Sequence, residues 1–364
     1  MIAAADFIPS SYPQTSEKGH FEWSAPSNIA LVKYWGKKDN QIPANPSVSL
    51  TLNNCKTITS LSYTKKENTG NGFSFDLLFE GQPKEDFKPK IQKFFERIVV
   101  YLPFLKEYHF SIATQNTFPH SSGIASSASG MAALAMNLMA LERVLNPEMT
   151  DSYFFQKASF LARLGSGSAC RSIQGNVVVW GQHAGIAGSS DLFGVPYPNP
   201  LHEVFTDFQD TILLVDKGEK QVSSTVGHEL MHGHPYADRR FVQAHENLAA
   251  LIPVFESGNL EEFIKIVESE ALTLHGMMMT SMPYFILMKP NTLEIINRIW
   301  KFRNATGTPV CFTLDAGANV HVLYPQKVKE SVMFFIKNEL IDFCQNSQYL
   351  CDEIGSGAVA LTAM

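Results

Sequence analysis

Two stretches of the chain, residues 46–52 and 57–63, alternate apolar and hydroxyl side chains, the period of half-exposed strands, and predict an antiparallel ladder. Ile29, Leu31 and Val32 predict a strand that ends near Gly36. Further strands are predicted over residues 73–79, 108–114, 174–180 and 211–216. Helical spacing covers residues 90–100, 153–164 and the stretch from a Ser-rich loop at 116–130 to Asn146-Pro147. Asn259 opens another helix, in which Leu260, Phe263, Ile264, Val267, Ala271 and Leu274 share one face. Residues 309–322 are two apolar runs broken by a polar turn; a helix at 334–343 and a strand at 354–361 close the chain. Pattern alone gives mixed strands and helices, an α+β or α/β two-layer class.

A length of 364 residues exceeds what one core usually serves. The Gly/Pro-rich residues 181–200 offer the best boundary, dividing an N-terminal domain at 21–190 from a C-terminal domain at 191–364. Residues 1–20, with Pro9 and Pro13, read as a loosely held extension. Apolar residues make up 45% and charged residues 18%, a globular composition, and the net charge of −6 opposes broad attraction to nucleic acid or anionic membrane. No apolar run is long enough to span a bilayer. Cys55, Cys170, Cys311, Cys344 and Cys351 are odd in number and lack paired spacing, which suits a reducing compartment, so a soluble cytoplasmic protein is expected.

Candidate chemistry gathers in four places. The run Asn116-Thr-Phe-Pro-His-Ser-Ser-Gly-Ile-Ala-Ser-Ser-Ala-Ser-Gly130 enters a helix, whose first N–H groups lack internal partners and suit phosphate. Asn116, Ser121, Ser122, Gly123, Ala125, Ser126, Ser127 and Ser129 are the candidate nucleotide contacts, with Ser126, Ser127 and Ser129 also able to offer oxygen to a phosphate-bound magnesium. Ordinary capping of a Ser/Ala-rich helix explains the same residues. Lys33 and Lys37 flank Tyr34, Trp35 and Gly36, so two ammoniums, a phenol and a close backbone could meet one polyanion; a solvated basic turn is the plainer account. Gly165-Ser-Gly-Ser-Ala-Cys-Arg-Ser172 sets Ser166, Gly167, Ser168, Ala169 and Cys170 before Arg171, whose guanidinium fork fits carboxylate or phosphate, or is simply a surface arginine after a turn. Asp315 sits at the break between two strands, either a base on a cleft floor or a turn former. Ser224 and Thr225 could reach ligand from the opposite wall, or cap a helix. His275 and the group His228, His232 and His234 read as packing residues, because their spacing matches no familiar zinc pattern; no metal ligand is identified.

Together Asn28-Ile-Ala-Leu-Val-Lys-Tyr-Trp-Gly-Lys37, Phe118-Pro to Ser129, Gly165 to Arg171 and Asp315-Ala-Gly-Ala-Asn319 resemble, in order, the diphosphomevalonate decarboxylase family within the GHMP small-molecule kinases. The likeness spans roughly residues 21 to 360. It implies a GHMP-type two-domain fold, with a ribosomal-protein-like N-terminal domain, a ferredoxin-like C-terminal domain and a cleft between them. ATP with magnesium, a phosphorylated mevalonate and a homodimer are implied as well. The implied reaction phosphorylates the 3-hydroxyl of 5-diphosphomevalonate and then expels phosphate and CO2 to leave isopentenyl diphosphate. By the same resemblance Asp315 would orient or deprotonate that hydroxyl, Lys33 would stabilise the transferred phosphate, and Arg171 would hold the substrate carboxylate. Tyr34 to Lys37 and Ser166 to Arg171 would surround substrate, with Thr225 at its diphosphate.

Departures from the family pattern bear on the substrate. Ala318 stands where the family has proline, and Pro119-His-Ser-Ser-Gly123 replaces Pro-Thr-Ala-Ala-Gly. His228 occupies a position usually taken by Met, and an arginine expected near residues 65–75 has only Lys65 or Lys66 as a stand-in. These changes admit a phosphomevalonate decarboxylase, a mevalonate 3-kinase-like enzyme that stops after phosphorylation, or a catalytically inactive anion-binding relative.

Overall fold

A computed structural model describes residues 2–68, 70, 72–119, 124–217 and 224–362, without the side chains of Ser224 and Thr225. In chain order the elements are β1 (Lys18–Val32), β2 (Ser47–Lys65), β3 (Ser74–Phe79), β4 (Gln82–Pro83), α1 (Lys88–Ile98), β5 (Tyr108–Asn116), α2 (Ser126–Leu145), α3 (Asp151–Gly165), β6 (Val177–Trp180) and β7 (Val195–Pro196). Then follow β8 (Gln209–Leu213), α4 (Ser224–Glu229), α5 (Ala237–Ser257), α6 (Leu260–Met279), α7 (Pro290–Thr306), β9 (Cys311–Thr313), β10 (Val320–Tyr324), α8 (Lys329–Phe335), β11 (Tyr349–Glu353) and β12 (Val359–Ala360). The first sheet runs β12-β1-β2-β5-β3-β4, with β6 and β7 continuing from the other end of β2. It is mixed, since β3 pairs parallel with β5 while the other pairs are antiparallel. The second sheet, β11-β8-β10-β9, is wholly antiparallel.

The two stretches expected as a pair of strands are one continuous strand, β2, whose long partner is β1. Both strands are longer than one core is deep, so their two halves lie in different cores. Phe21 and Leu61 pack with α1, α2 and α3 through Phe95, Leu138, Phe154 and Leu161. Ile29, Leu31, Val48 and Leu50 pack instead with Leu248 and Leu251 of α5, Phe263 and Val267 of α6, and Ile212 of β8. Pro26 has no N–H for the ladder, and the β1–β2 register slips between Pro26 and Asn28 as the chain passes from one core to the other. Burial on both faces also explains why β1 shows no alternation.

Other expectations need amendment. The strand expected over residues 354–361 is only the two-residue β12, which pairs with β1, while β11, which no expectation covered, precedes it in the second sheet. The C-terminal half therefore lends an edge strand to the N-terminal sheet. The supposed loose extension is anchored: Phe7 is 1% exposed, stacked on Phe160 at 4.7 Å and edge-on to Phe193, and Tyr12 donates a hydrogen bond to the buried Glu142 at 3.1 Å. One aromatic side chain buried among Phe160, Phe193 and Tyr153 outweighs the disorder that the surrounding prolines and polar residues suggest. Phe7→Ala is expected to cost about 3–5 kcal/mol of stability, read from the urea midpoint. A change under about 1 kcal/mol would show that the segment is not held as described.

Candidate active site

At the end of β1 the chain leaves the shared core as Lys33, which is 1% exposed. Its backbone is clamped by charge. The N–H donates to Glu270 Oε2 of α6 at 2.8 Å, and the carbonyl accepts from Asn45 at 2.9 Å and from Arg240 of α5 at 3.2 Å. Arg240 and Asn247 in turn bond Glu270 at 3.0 and 2.6 Å. With its main chain fixed, Lys33 extends Nζ to Asp315 Oδ1, 3.1 Å away. Burial lowers the lysine pKa and the charge on Arg171 adds to that, while Asp315 and Glu270 oppose it. Asp315 lies in the turn between β9 and β10, where Gly317 N–H closes onto its carbonyl at 2.7 Å and His275 Nε2 reaches the same oxygen at 3.1 Å. Ala318, in place of the family's proline, keeps its turn through a hydrogen bond from Thr292 Oγ1 at 2.7 Å.

Arg171 closes a short 3₁₀ helix, Gly167–Ser172, and is 3% exposed. Its Nε donates to Asn28 Oδ1 at 3.3 Å, Nη1 donates to Ser47 Oγ, and the guanidinium stands over the Trp180 ring. Among the described residues no carboxylate lies within ion-pair distance of it. Its charge and that of Asp315 nevertheless act on each other, so Lys33, Asp315 and Arg171 share one electrostatic site. A buried guanidinium without a counter-ion calls for an anionic ligand. The adjoining loop is built for close approach: a Cβ on Gly167 would meet Tyr34 Oη at 2.8 Å. Tyr34 packs on Trp180 at 4.5 Å, and burial pushes its phenol well up, so it remains a proton donor. Ser166 and Ser168 are partly exposed along the same loop. Lys37 pairs with Glu229 at 3.0 Å.

Some proposed contacts lie elsewhere. Trp35 is 4% exposed and packs with Met231, Leu274, Met277 and Met278, so its apolar ring supports the cleft from behind. Ala169 is sealed, and Cys170 turns its thiol to the Gly167 carbonyl at 3.0 Å; burial pushes that thiol up to about 12. Neither side chain is available to substrate. Ser129 is fully buried, its Oγ 2.6 Å from Thr57 Oγ1, so it ties α2 to β2 and is not a nucleotide contact. Ala125 precedes α2 in a left-handed conformation with φ of +37°. Ser126, Ser127 and Asn116 line a cavity of about 230 Å³ together with Thr57, Thr59, Met131 and Lys90, whose Nζ donates to Ser127 Oγ. Ser121, Ser122 and Gly123, and the side chains of Ser224 and Thr225, lie outside the described residues.

Sequence reasoning missed Asn28 and Ser47, which hold Arg171, as well as Glu270, Arg240, His275 and Lys90. Glu270 had a visible signal. It falls on the apolar stripe of α6, three residues after Val267 and four before Leu274, where an acid must have a buried partner.

A mixed sheet and an antiparallel sheet, with a helix N-terminus beside a cavity and a cation-rich carboxylate site at their junction, define a two-domain enzyme of the GHMP superfamily. The family model "Diphosphomevalonate decarboxylase-like N-terminal domain" matches residues 25–191, and "Mevalonate 5-diphosphate decarboxylase C-terminal domain" matches residues 211–358. A diphosphomevalonate decarboxylase of Ganoderma lucidum is 30% identical over 336 residues, which are 86% of this chain and 80% of that protein. The mevalonate diphosphate decarboxylase of Staphylococcus aureus superposes with a TM-score of 0.80 at 25% identity, covering 95% of this chain and 98% of its own. MDDEF in complex with MVAPP, AMPPCP and magnesium superposes with a TM-score of 0.79 at 26% identity, covering 95% and 100%. The chain belongs to the diphosphomevalonate decarboxylase family.

His275 and His228 make stability pH-dependent. Burial is the leading cause that lowers them, to about 4 and about 3 from an ordinary 6.5. Their unfolded forms therefore bind protons first, and the stability they contribute is complete above pH 6.5 and lost as pH falls towards 4. Each should cost about 2 kcal/mol between pH 7 and 5, read from urea midpoints. His275→Asn should flatten that slope, and an unchanged slope would count against the neutral buried ring.

Proposed function

We propose that this protein catalyses the ATP-dependent decarboxylation of 5-diphosphomevalonate, giving isopentenyl diphosphate, ADP, phosphate and CO2. The observation that carries the reading is the pairing of buried Lys33 with part-exposed Asp315 at 3.1 Å, within the electrostatic reach of Arg171. A relative with the same fold holds MVAPP, AMPPCP and magnesium together, which supports two anionic substrates sharing this cleft.

The roles follow from chemistry. Hydroxide is a poor leaving group, so the tertiary 3-hydroxyl must first become a phosphate ester. Asp315, paired with Lys33, accepts the hydroxyl hydrogen bond, aims the oxygen at the γ-phosphorus of ATP and takes the proton as the O–P bond forms and ADP departs. Lys33 meets the charge that gathers on the transferred phosphoryl oxygens. When the C3–O bond breaks, the departing phosphate takes the electron pair and leaves C3 positive. The C–C electrons of the carboxylate then flow to C3 and CO2 departs. Arg171 holds that carboxylate in line for the step. Its hydrogen bonds to Asn28 and Ser47 fix the fork before substrate arrives.

Ser126 and Ser127 at the start of α2 suit the triphosphate, and Thr57, Thr59 and Met131 suit the nucleoside end. No group of three or more metal-ligating side chains occurs among the described residues. Magnesium fits this donor set as an ion carried by the ATP phosphates and water, with the serine hydroxyls as protein ligands; bound there it would neutralise phosphate charge. Among the described residues no helix is long and apolar enough to cross a membrane, and the five cysteines are unpaired, which supports work in the cytoplasm.

Purified protein given ATP, magnesium and 5-diphosphomevalonate should release one CO2 per ADP, with slower turnover on 5-phosphomevalonate. ADP without CO2 would instead mean a kinase that stops at the phosphate ester. Asp315→Asn should lower kcat by about 10²–10⁴-fold while the protein stays folded by circular dichroism.

A further inference from the structure

His228 is a histidine with one nitrogen committed and the other open. It lies on α4, 8% exposed, with its imidazole between two aromatic rings at centroid distances of 4.2 Å from Tyr34 and 4.7 Å from Trp35. The backbone N–H of Gly36 donates to Nδ1 at 2.9 Å. Gly36 has a φ of +97°, and a Cβ there would lie 2.8 Å from the Phe241 ring, so the turn carrying this N–H is fixed. An Nδ1 that accepts carries no proton. The proton is therefore on Nε2, and the ring is a neutral donor. Among the described residues Nε2 meets no acceptor, yet it is not among the polar atoms sealed from solvent without a partner.

The charges around the ring are positive. Of these, Lys37 bears on it most strongly and Arg171 next. Lys37 follows directly on the Gly36 turn that His228 grips, and Glu229, the next residue of α4, pairs with Lys37. A nearly buried N–H within the influence of two cations, not sealed from solvent and without an acceptor among the described residues, is set to meet an anion.

We propose that His228 is a substrate-contacting specificity residue, whose Nε2–H donates to an oxygen of the phosphate chain beside Lys37, at the end of the substrate away from the reacting carboxylate. This rests on the decarboxylase reading above. His228 adds direction without charge. Protonating Nδ1 would break the Gly36 hydrogen bond, so the ring stays a neutral, single-proton donor wedged between flat neighbours, while Lys37 supplies the attraction. A fixed donor of this kind can tell a longer phosphate chain from a shorter one, which a mobile ammonium does poorly.

Two substitutions separate contact from bracing. The amide of His228→Asn overlies Nδ1 and can still accept from Gly36, but it loses the outer donor. The amide of His228→Gln overlies Nε2 and keeps that donor while giving up the inner acceptor. Contact with the phosphate chain predicts that His228→Asn raises KM for 5-diphosphomevalonate and the calorimetric Kd for inorganic diphosphate about tenfold or more. Its kcat should stay within about twofold, its preference for 5-diphosphomevalonate over 5-phosphomevalonate should shrink, and His228→Gln should recover most of the loss. The reverse order, with Asn like wild type and Gln impaired, would leave His228 as a brace for the turn and overturn the proposal. So would wild-type KM and Kd in both variants, or wild-type protein that does not bind diphosphate. Failure of wild type to release CO2 would sink the decarboxylase reading instead. Diphosphate binding by wild type but not His228→Asn would then still support the contact.

Discussion

The structure depends on keeping a line of charges buried where two cores meet. Arg240, Glu270, Lys33, Asp315 and Arg171 come from both halves of the chain and all but Asp315 are nearly sealed from water. Removing charges from water is costly, and a pair alone seldom recovers that cost. Here Glu270 is held by several donors, taking hydrogen bonds from Arg240, Asn247 and the Lys33 backbone. Three cations against two carboxylates leave one positive charge in excess. That excess is local and owes nothing to the net charge of −6, which resides mainly on solvated side chains.

The long β1–β2 pair is what allows such an arrangement to be rigid. A strand anchored in two cores does not shift along its axis without disturbing both, so Lys33 is positioned by the packing of Ile29, Leu31 and Val32 as much as by its own bonds. The register slip at Pro26–Asn28 lies between those cores, and directly after it Asn28 meets Arg171. β12 adds a second tie, since the chain ends by pairing with the strand that began the sheet. The proposed substrate contacts thus sit on elements held by packing within the chain, which lowers the entropic cost of binding a polyanion there.

Next to the charges stands a row of rings: Trp35, His228, Tyr34 and Trp180, ending at the Arg171 guanidinium. Flat side chains lose little freedom on packing and exclude water, which strengthens the nearby electrostatics. Burial keeps the Tyr34 phenol protonated and the His228 ring neutral, so both offer hydrogen without adding charge. The wall of the cleft is therefore rich in donors, in keeping with a ligand that carries only acceptors at its anionic ends.

By itself the sequence determined what local physics controls. Helical spacing marked α2, α3 and α6, the Asn259 cap was legible from its side chain, and Lys33, Arg171 and Asp315 stood out because each lies in a motif with its own turn chemistry. It did not reveal β1 and β2 as one long pair, because β1, buried on both faces, lacks the alternation that identifies a strand, and the two alternating stretches of β2 read as separate strands. Nor did it reveal that Phe7 is anchored, that Trp35, Ala169, Cys170 and Ser129 turn away from the cleft, or that His275 meets the Asp315 carbonyl and His228 the Gly36 N–H. Those assignments depend on which side of a residue meets the other half of the molecule. Only the tertiary structure decides that, since burial and hydrogen bonding between residues hundreds of positions apart leave no period along the chain.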